Sequence, residues 1–182
     1  MKRKILIAVA AVLVLFIGFF LYAVLIGNKK SPAQTVTLSQ GGVDLKVTYC
    51  RPYKKGRLIF GEKDAGALVP FGKYWRLGAN AATEVTFSKK VSFAGKPVEG
   101  GTYRMYAIPG AKAWQVVLNS DLGKWGAFEA DHAKDVLSVE VPAGAAANET
   151  EQFTITLNGE PAAARMDFVW DKTAVHVPIA PL

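Results

Sequence analysis

The chain has 182 residues, 51% of them apolar, 20% charged and 11% aromatic, with 22 basic against 15 acidic side chains, 17 Gly, 9 Pro and a single Cys. The charged fraction is too low and the apolar fraction too high for an intrinsically disordered polymer, and Gly and Pro are too sparse for a collagen-like repeat. One Cys cannot close an intramolecular disulfide, and two His beside it leave no zinc-finger set.

The apolar residues are unevenly placed. Residues 5–26 are 22 consecutive positions without a charge, roughly 33 Å of helix and enough to cross a bilayer core. Lys2, Arg3 and Lys4 lie in front and Lys29 and Lys30 behind, a bias that predicts a cytoplasmic N-terminus and an exported C-terminal domain. A cleaved signal peptide is the competing expectation. Its apolar core is usually about 7–15 residues and ends at a small-x-small site, for which Ser31-Pro32-Ala33, behind two lysines, is the nearby match. The expected organisation is a signal anchor or transmembrane helix over 1–27, a short polar tether over 28–34 and an exported domain over 35–182. That makes a single-pass protein of the cell membrane, or a secreted or periplasmic one if cleaved. Lipoprotein processing is excluded, because the only Cys is Cys50, inside the domain. After residue 26 the chain carries 19 basic and 15 acidic groups, and a domain of this size buries about two-thirds of its unfolded surface without help from a disulfide or metal.

From residue 35 onward the period is two. Residues 35–38, 43–50, 83–87, 102–108, 114–118, 136–141, 152–157, 165–170 and 174–179 alternate and are rich in β-branched and aromatic side chains. Gly41-Gly42, Gly100-Gly101, Pro109-Gly110, Pro142-Ala143-Gly144 and Asn158-Gly159 punctuate them. The pattern predicts an all-β domain, an antiparallel β-sandwich of jelly-roll type. Only residues 121–134 have room for a short helix, which Gly123 and Gly126 weaken. Cys50 closes an alternating run and is expected in the core. Residues 143–148 are small and read as flexible, followed by the sequon Asn148-Glu149-Thr150.

Residues 51–76 hold seven basic and two acidic side chains, so the rest of the exported domain is net −1. Charge this concentrated fits an anion-binding surface or a solvated basic loop. Around it run Arg51-Pro52, Lys55-Gly56-Arg57, Ile59-Phe60-Gly61, Val69-Pro70-Phe71-Gly72-Lys73, Trp75-Arg76-Leu77-Gly78-Ala79-Asn80 and Ala82-Thr83-Glu84. Further on come Gly101-Thr102-Tyr103-Arg104-Met105-Tyr106, Ile108-Pro109-Gly110, Asn119, Trp125-Gly126-Ala127-Phe128, Asp135-Val136-Leu137, Phe168-Val169-Trp170 and Val175-His176-Val177-Pro178-Ile179. In this order the motifs resemble the bacterial domain-of-unknown-function family 2911 over most of residues 40–180. The resemblance implies an exported, mostly β protein without an established activity. Ala81 departs from the family pattern, which often has an acidic or polar residue there.

Four residues of this segment form the candidate ligand site. Arg57 and Arg76 offer forked hydrogen bonds to a carboxylate, phosphate or sulfate, Trp75, with Tyr74, a stacking surface for a sugar or lipid glycerol, and Asn80 an orienting amide. The structural alternative has Gly72, Gly78 and Pro70 making tight turns and Trp75 plugging one end of the sandwich. Tyr103 and Tyr106 are expected to pack. Enzyme chemistry is the weaker expectation: Asp131, His132 and Asp135 share a Gly-containing loop, His176 lacks evident co-ligands, no serine sits in a nucleophile elbow, and Glu84 needs a facing carboxylate that one sequence cannot name. No cofactor, metal site, catalytic residue or nucleic-acid partner is expected. The leading expectation is thus a membrane-anchored extracytoplasmic domain that binds a small polar or anionic envelope ligand, a glycan or lipid headgroup. The alternative is a non-enzymatic structural or protein-interaction module of the bacterial cell envelope, with an envelope protein as partner.

Overall fold

The structure is a computed structural model that describes residues 2–182, with the side chains of residues 3–6, 8 and 23–29 outside the description. Its elements in chain order are α1 (Lys2–Lys30), β1 (Ala33–Gln40), β2 (Val43–Cys50), β3 (Phe60–Gly61), β4 (Val69–Pro70), β5 (Thr83–Phe87), β6 (Val91–Phe93), β7 (Lys96–Val98), β8 (Gly101–Pro109), β9 (Ala113–Asn119), β10 (Asp135–Glu160) and β11 (Ala163–Pro181). Short 3₁₀ turns cover Lys63–Ala65 and His132–Lys134. The latter is all the helix that residues 121–134 form.

The expected transmembrane span is not carried by the described residues. Among them, no helix is long and apolar enough to cross a membrane. The side chains described without a break run over residues 9–22, roughly 21 Å of helix against a hydrocarbon core of about 30 Å. These side chains are nevertheless exposed and mostly large and apolar, from Ile17 at 53% to Leu15 at 72%, so the domain does not cover them.

Nine strands make one antiparallel sheet in the order β1-β2-β5-β8-β9-β10-β11-β6-β7, and β3 and β4 form a small parallel pair. The sheet is thus a single ladder where a jelly roll would have two sheets. Two of its strands are long enough to serve both halves. β10 pairs with β9 through residues 135–142 and with β11 through residues 143–160, with register shifts between Ala145 and Thr150 and between Thr150 and Thr154. Such irregularities bend a strand and increase its twist. The ladder therefore curls over itself, and side chains from non-neighbouring strands meet: Tyr49 of β2 with Phe153 of β10 at 5.7 Å, Phe87 of β5 with Phe93 of β6 at 5.9 Å, and Trp114 of β9 with Phe168 of β11 at 6.5 Å. The alternation seen in the sequence decides which residues enter this enclosure. Along β2, Val43, Leu45 and Val47 are buried while Asp44, Lys46 and Thr48 are exposed, the period-2 consequence of the pleat. Cys50 joins the buried set.

The curl nearly closes. At one end of the strands the Gln40 amide donates to Glu160 O at 2.6 Å, and at the other the end of β2 and the chain after it run beside β10, with Phe153 N–H donating to Pro52 O at 2.9 Å and Lys54 N–H to Glu151 O at 2.6 Å. This brings residues 51–57 against residues 149–154 and against Asp171, at the end of the molecule where α1 also joins β1.

Candidate functional site

At that end the loop of residues 75–82 is pinned on every side. Trp75 pairs through its backbone with Ala107, Thr83 Oγ1 donates to Leu77 O at 2.6 Å, Asn80 Nδ2 donates to Ser31 O at 3.3 Å, and Gly126 N–H donates to Asn80 O at 2.9 Å. The pinning holds an unusual backbone. Leu77 and Asn80 both have φ near +50°, and Gly78 has φ of 149°. An αL leucine costs on the order of 1–3 kcal/mol and persists only where its surroundings over-determine it; Asn tolerates the region better. A Cβ at Gly78 would lie 2.6 Å from Cys50 O, and one at Gly126 would lie 2.7 Å from Arg76 Cδ. Both glycines are demanded by close approach.

The loop walls a cavity of ≈ 510 Å³ whose lining includes all four sequence-predicted site residues, Arg57, Trp75, Arg76 and Asn80. They differ in what they have to offer. Arg57 is committed in part, its Nε donating to Lys54 O at 2.9 Å and its Nη2 to Tyr53 O at 2.5 Å. Arg76 is half-buried and has no hydrogen-bond or ion-pair partner among the described residues. Asn80 orients the loop through Ser31. Trp75 is a core residue, 6% exposed, stacked on Trp170 at 5.8 Å and met edgewise by Phe60, Trp114 and Phe153. It forms floor and offers no open ring face for a sugar. Tyr74 leaves the cavity altogether: its ring packs on Tyr106 at 5.1 Å and its hydroxyl accepts from Arg104 at 2.5 Å.

Other cavity residues were invisible to local reading. Trp170 comes from β11, Lys30 from the end of α1, and Lys55 and Tyr53 from the turn before Arg57. The cavity thus faces four cations, Lys30, Lys55, Arg57 and Arg76, and among the described residues no acidic one lines it. The rest of the basic segment is spent differently. Arg51 donates to Phe153 O at 3.1 Å and Thr154 Oγ1 at 2.8 Å. Lys54 pairs with Asp171 at 2.6 Å and with Glu149, and these two bonds raise the Lys54 pKa while lowering that of Glu149. Ala81, where the resemblance implies an acidic or polar residue, bridges Trp125 and does not line the cavity.

A second polar cluster lies on the outer face of β8 and β9. Tyr106 O–H donates to Asp135 Oδ2 at 2.8 Å, and His132 Nδ1 meets Tyr106 Oη at 2.8 Å. Asn119 Nδ2 donates to Asp135 Oδ1 at 2.7 Å and to Asp131 O at 2.8 Å. Glu129 on Nε2, then Asp135 on Nδ1, raise the His132 pKa; burial, then the Asp135 hydrogen bond, push the Tyr106 phenol far above its ordinary value. Arg104, 1% exposed, donates to Tyr74 Oη and to Phe128 O, both at 2.5 Å, and its Nε has no partner. The two carboxylates address opposite edges of the His132 ring, a geometry for holding the loop in place. Glu84 accepts from Gly123 N–H at 3.0 Å. His176 meets Asp167, which Arg165 and Asn158 also bind. Among the described residues no group of three or more His, Cys, Asp or Glu is placed to hold a metal.

No curated protein and no solved structure matches the chain. The family described as "Protein of unknown function (DUF2911)" matches residues 31–179, which takes in the whole of the cavity except Lys30; the chain belongs to this family.

Proposed function

We propose that this protein binds a small anionic ligand, one with a phosphate, carboxylate or sulfate group on a compact apolar or sugar body, in the cavity at the end of its β-domain. The observation that carries this is the four-cation lining without a carboxylate, with Arg76 half-buried and unpaired among the described residues. A half-buried guanidinium whose donors no described protein group takes up is ready to offer an anion a forked hydrogen bond. Trp75 and Trp170 supply a rigid apolar floor, and Leu68, Val69 and Pro52 line the same space, so the ligand's body need not be polar. The lining supplies fixed donors and apolar contact, the means of binding.

We further propose that the protein works at the cell envelope, with the β-domain outside the cytoplasm and glycans or lipid headgroups as ligand sources. Support comes from the uncharged run of residues 5–26, the basic residues at either end of it, and the exposed apolar side chains of α1.

Calorimetric titration of the full chain in detergent micelles with glycerol 3-phosphate and glucuronate, against glycerol and glucose, tests the ligand class. Binding of an anionic member and none of its neutral counterpart is expected. Equal affinity for the two, or no binding of any anion, refutes the reading.

A further inference from the structure

Outside α1, seven large hydrophobic residues are exposed: Leu58, Leu68, Leu122, Trp125, Phe128, Val136 and Leu182. Leu58 and Leu68 lie on one segment beside the cavity, and Trp125 and Phe128, with Leu122 earlier on the same loop, lie on a second segment that meets it. Leu68 N–H donates to Leu58 O at 2.9 Å, and Leu68 lines both the main cavity and a smaller one of ≈ 220 Å³, whose other wall is Gly126 and Ala127. Trp125 bridges Ala81, and Gly126 packs against Arg76, which lines both cavities. Phe128, the most exposed at 72%, and Trp125 at 46% flank this contact. The loop that carries them is held by Arg104 on Phe128 O and by Asn119 on Asp131 O, so the apolar tips are presented on an ordered backbone. Lys124 stands between Leu122 and Trp125, and the cations of the cavity stand beside Leu58 and Leu68.

We propose that this rim docks onto an anionic lipid surface. Aromatic and leucine tips favour the headgroup and upper acyl region, while interleaved Lys and Arg neutralise lipid phosphates; together they are the signature of an interfacial contact. Chain continuity supplies the second argument. Lys30, the last residue of α1, lines the same cavity, so the helix with its exposed apolar side chains departs from this rim, and a lipid surface that took up those side chains would lie beside it. The proposal rests on the envelope reading for the lipid beside α1 and shares the cations of the cavity.

The test uses the full chain with phosphatidylcholine vesicles, with and without phosphatidylglycerol, carrying lipids brominated on the upper acyl chain as a fluorescence quencher. Trp75, Trp114 and Trp170 are 6%, 1% and 2% exposed, so quenching by lipid reports on Trp125. Quenching is expected, stronger with phosphatidylglycerol, lost in Trp125→Phe, and restored when Phe128→Trp is added to that variant. Lys124→Gln should lower the docked-to-undocked ratio roughly fivefold, the factor set by a Lys or Arg at an anionic surface. Absence of quenching, or equal quenching in wild type and Trp125→Phe, overturns the proposal. Shielding of Trp125 that follows protein concentration instead of lipid also overturns it and assigns the face to a second copy. Glycerol 3-phosphate binding in micelles without Trp125 quenching removes the docking and leaves the cavity; quenching without such binding does the reverse.

Discussion

Single residues at the cavity carry separable duties. Gly78 keeps the loop against the backbone of Cys50, and Gly78→Ala forces a Cβ into a carbonyl oxygen 2.6 Å away at a φ hostile to L residues. A loss of roughly 2–3 kcal/mol is expected in chemical denaturation; a loss below about 0.5 kcal/mol would mean the loop relaxes freely. Arg76 has no such structural duty beyond its contact with Gly126, so Arg76→Gln should leave stability nearly unchanged. That Arg57, Arg76 and Asn80 gather around one pocket was legible because they lie within one motif-rich segment. Trp75 was legible only as a large apolar residue, and whether it plugs the core or faces a ligand depended on Trp170 and Phe153, which β11 and β10 deliver from far along the chain.

Among the elements, β1, β2 and β5 follow directly from the alternation of residues 35–38, 43–50 and 83–87, and β8 and β9 from the β-branched and aromatic residues of 102–108 and 114–118, although both bury consecutive residues because Tyr106 and Val117 join a second buried cluster. β10 and β11 do not. Residues 143–148 have little side chain to alternate, so residues 136–141 and 152–157 read as two strands, yet backbone pairing of Ala143 with Val175 and Ala145 with Thr173 runs one strand through both. β6 and β7, three residues each, are too short for periodicity to register. The loop of residues 120–134 was the least legible element, because what orders it is the cluster of Arg104, Tyr106 and Asn119 on two strands. Its grip depends on pH. The His132 pKa is raised in the folded state by Glu129 and Asp135, so the stabilisation is complete below the unfolded value of about 6.5 and is lost as pH rises through the folded value. His132→Gln should therefore lower the melting temperature more at about pH 5.5 than at about pH 8.5, by an amount that solvent screening of this exposed ring keeps small. An identical penalty at both values would show that the ring is held by packing alone.

For the whole molecule, the curled ladder has one principal core to which both halves contribute. Unfolding should be a single transition in which tryptophan fluorescence and amide exchange of β2 and β11 coincide. Phe153→Ala, removing a ring that touches Tyr49, Trp75 and Trp170, should destabilise both halves together by about 3–5 kcal/mol; two separated transitions would mean independent layers. Charge is likewise organised globally. Of the basic side chains behind the formal +7, some flank the uncharged run of residues 5–26, some are neutralised in ion pairs such as Lys54 with Asp171, and Lys55, Arg57 and Arg76 gather with Lys30 around one cavity. Titration of glycerol 3-phosphate into the full chain and into Arg76→Gln tests that cavity most directly. Binding to the wild type, weakened roughly 10- to 100-fold in the variant, is the expectation for losing hydrogen bonds to a charged group, and equal affinity in the two proteins would contradict it.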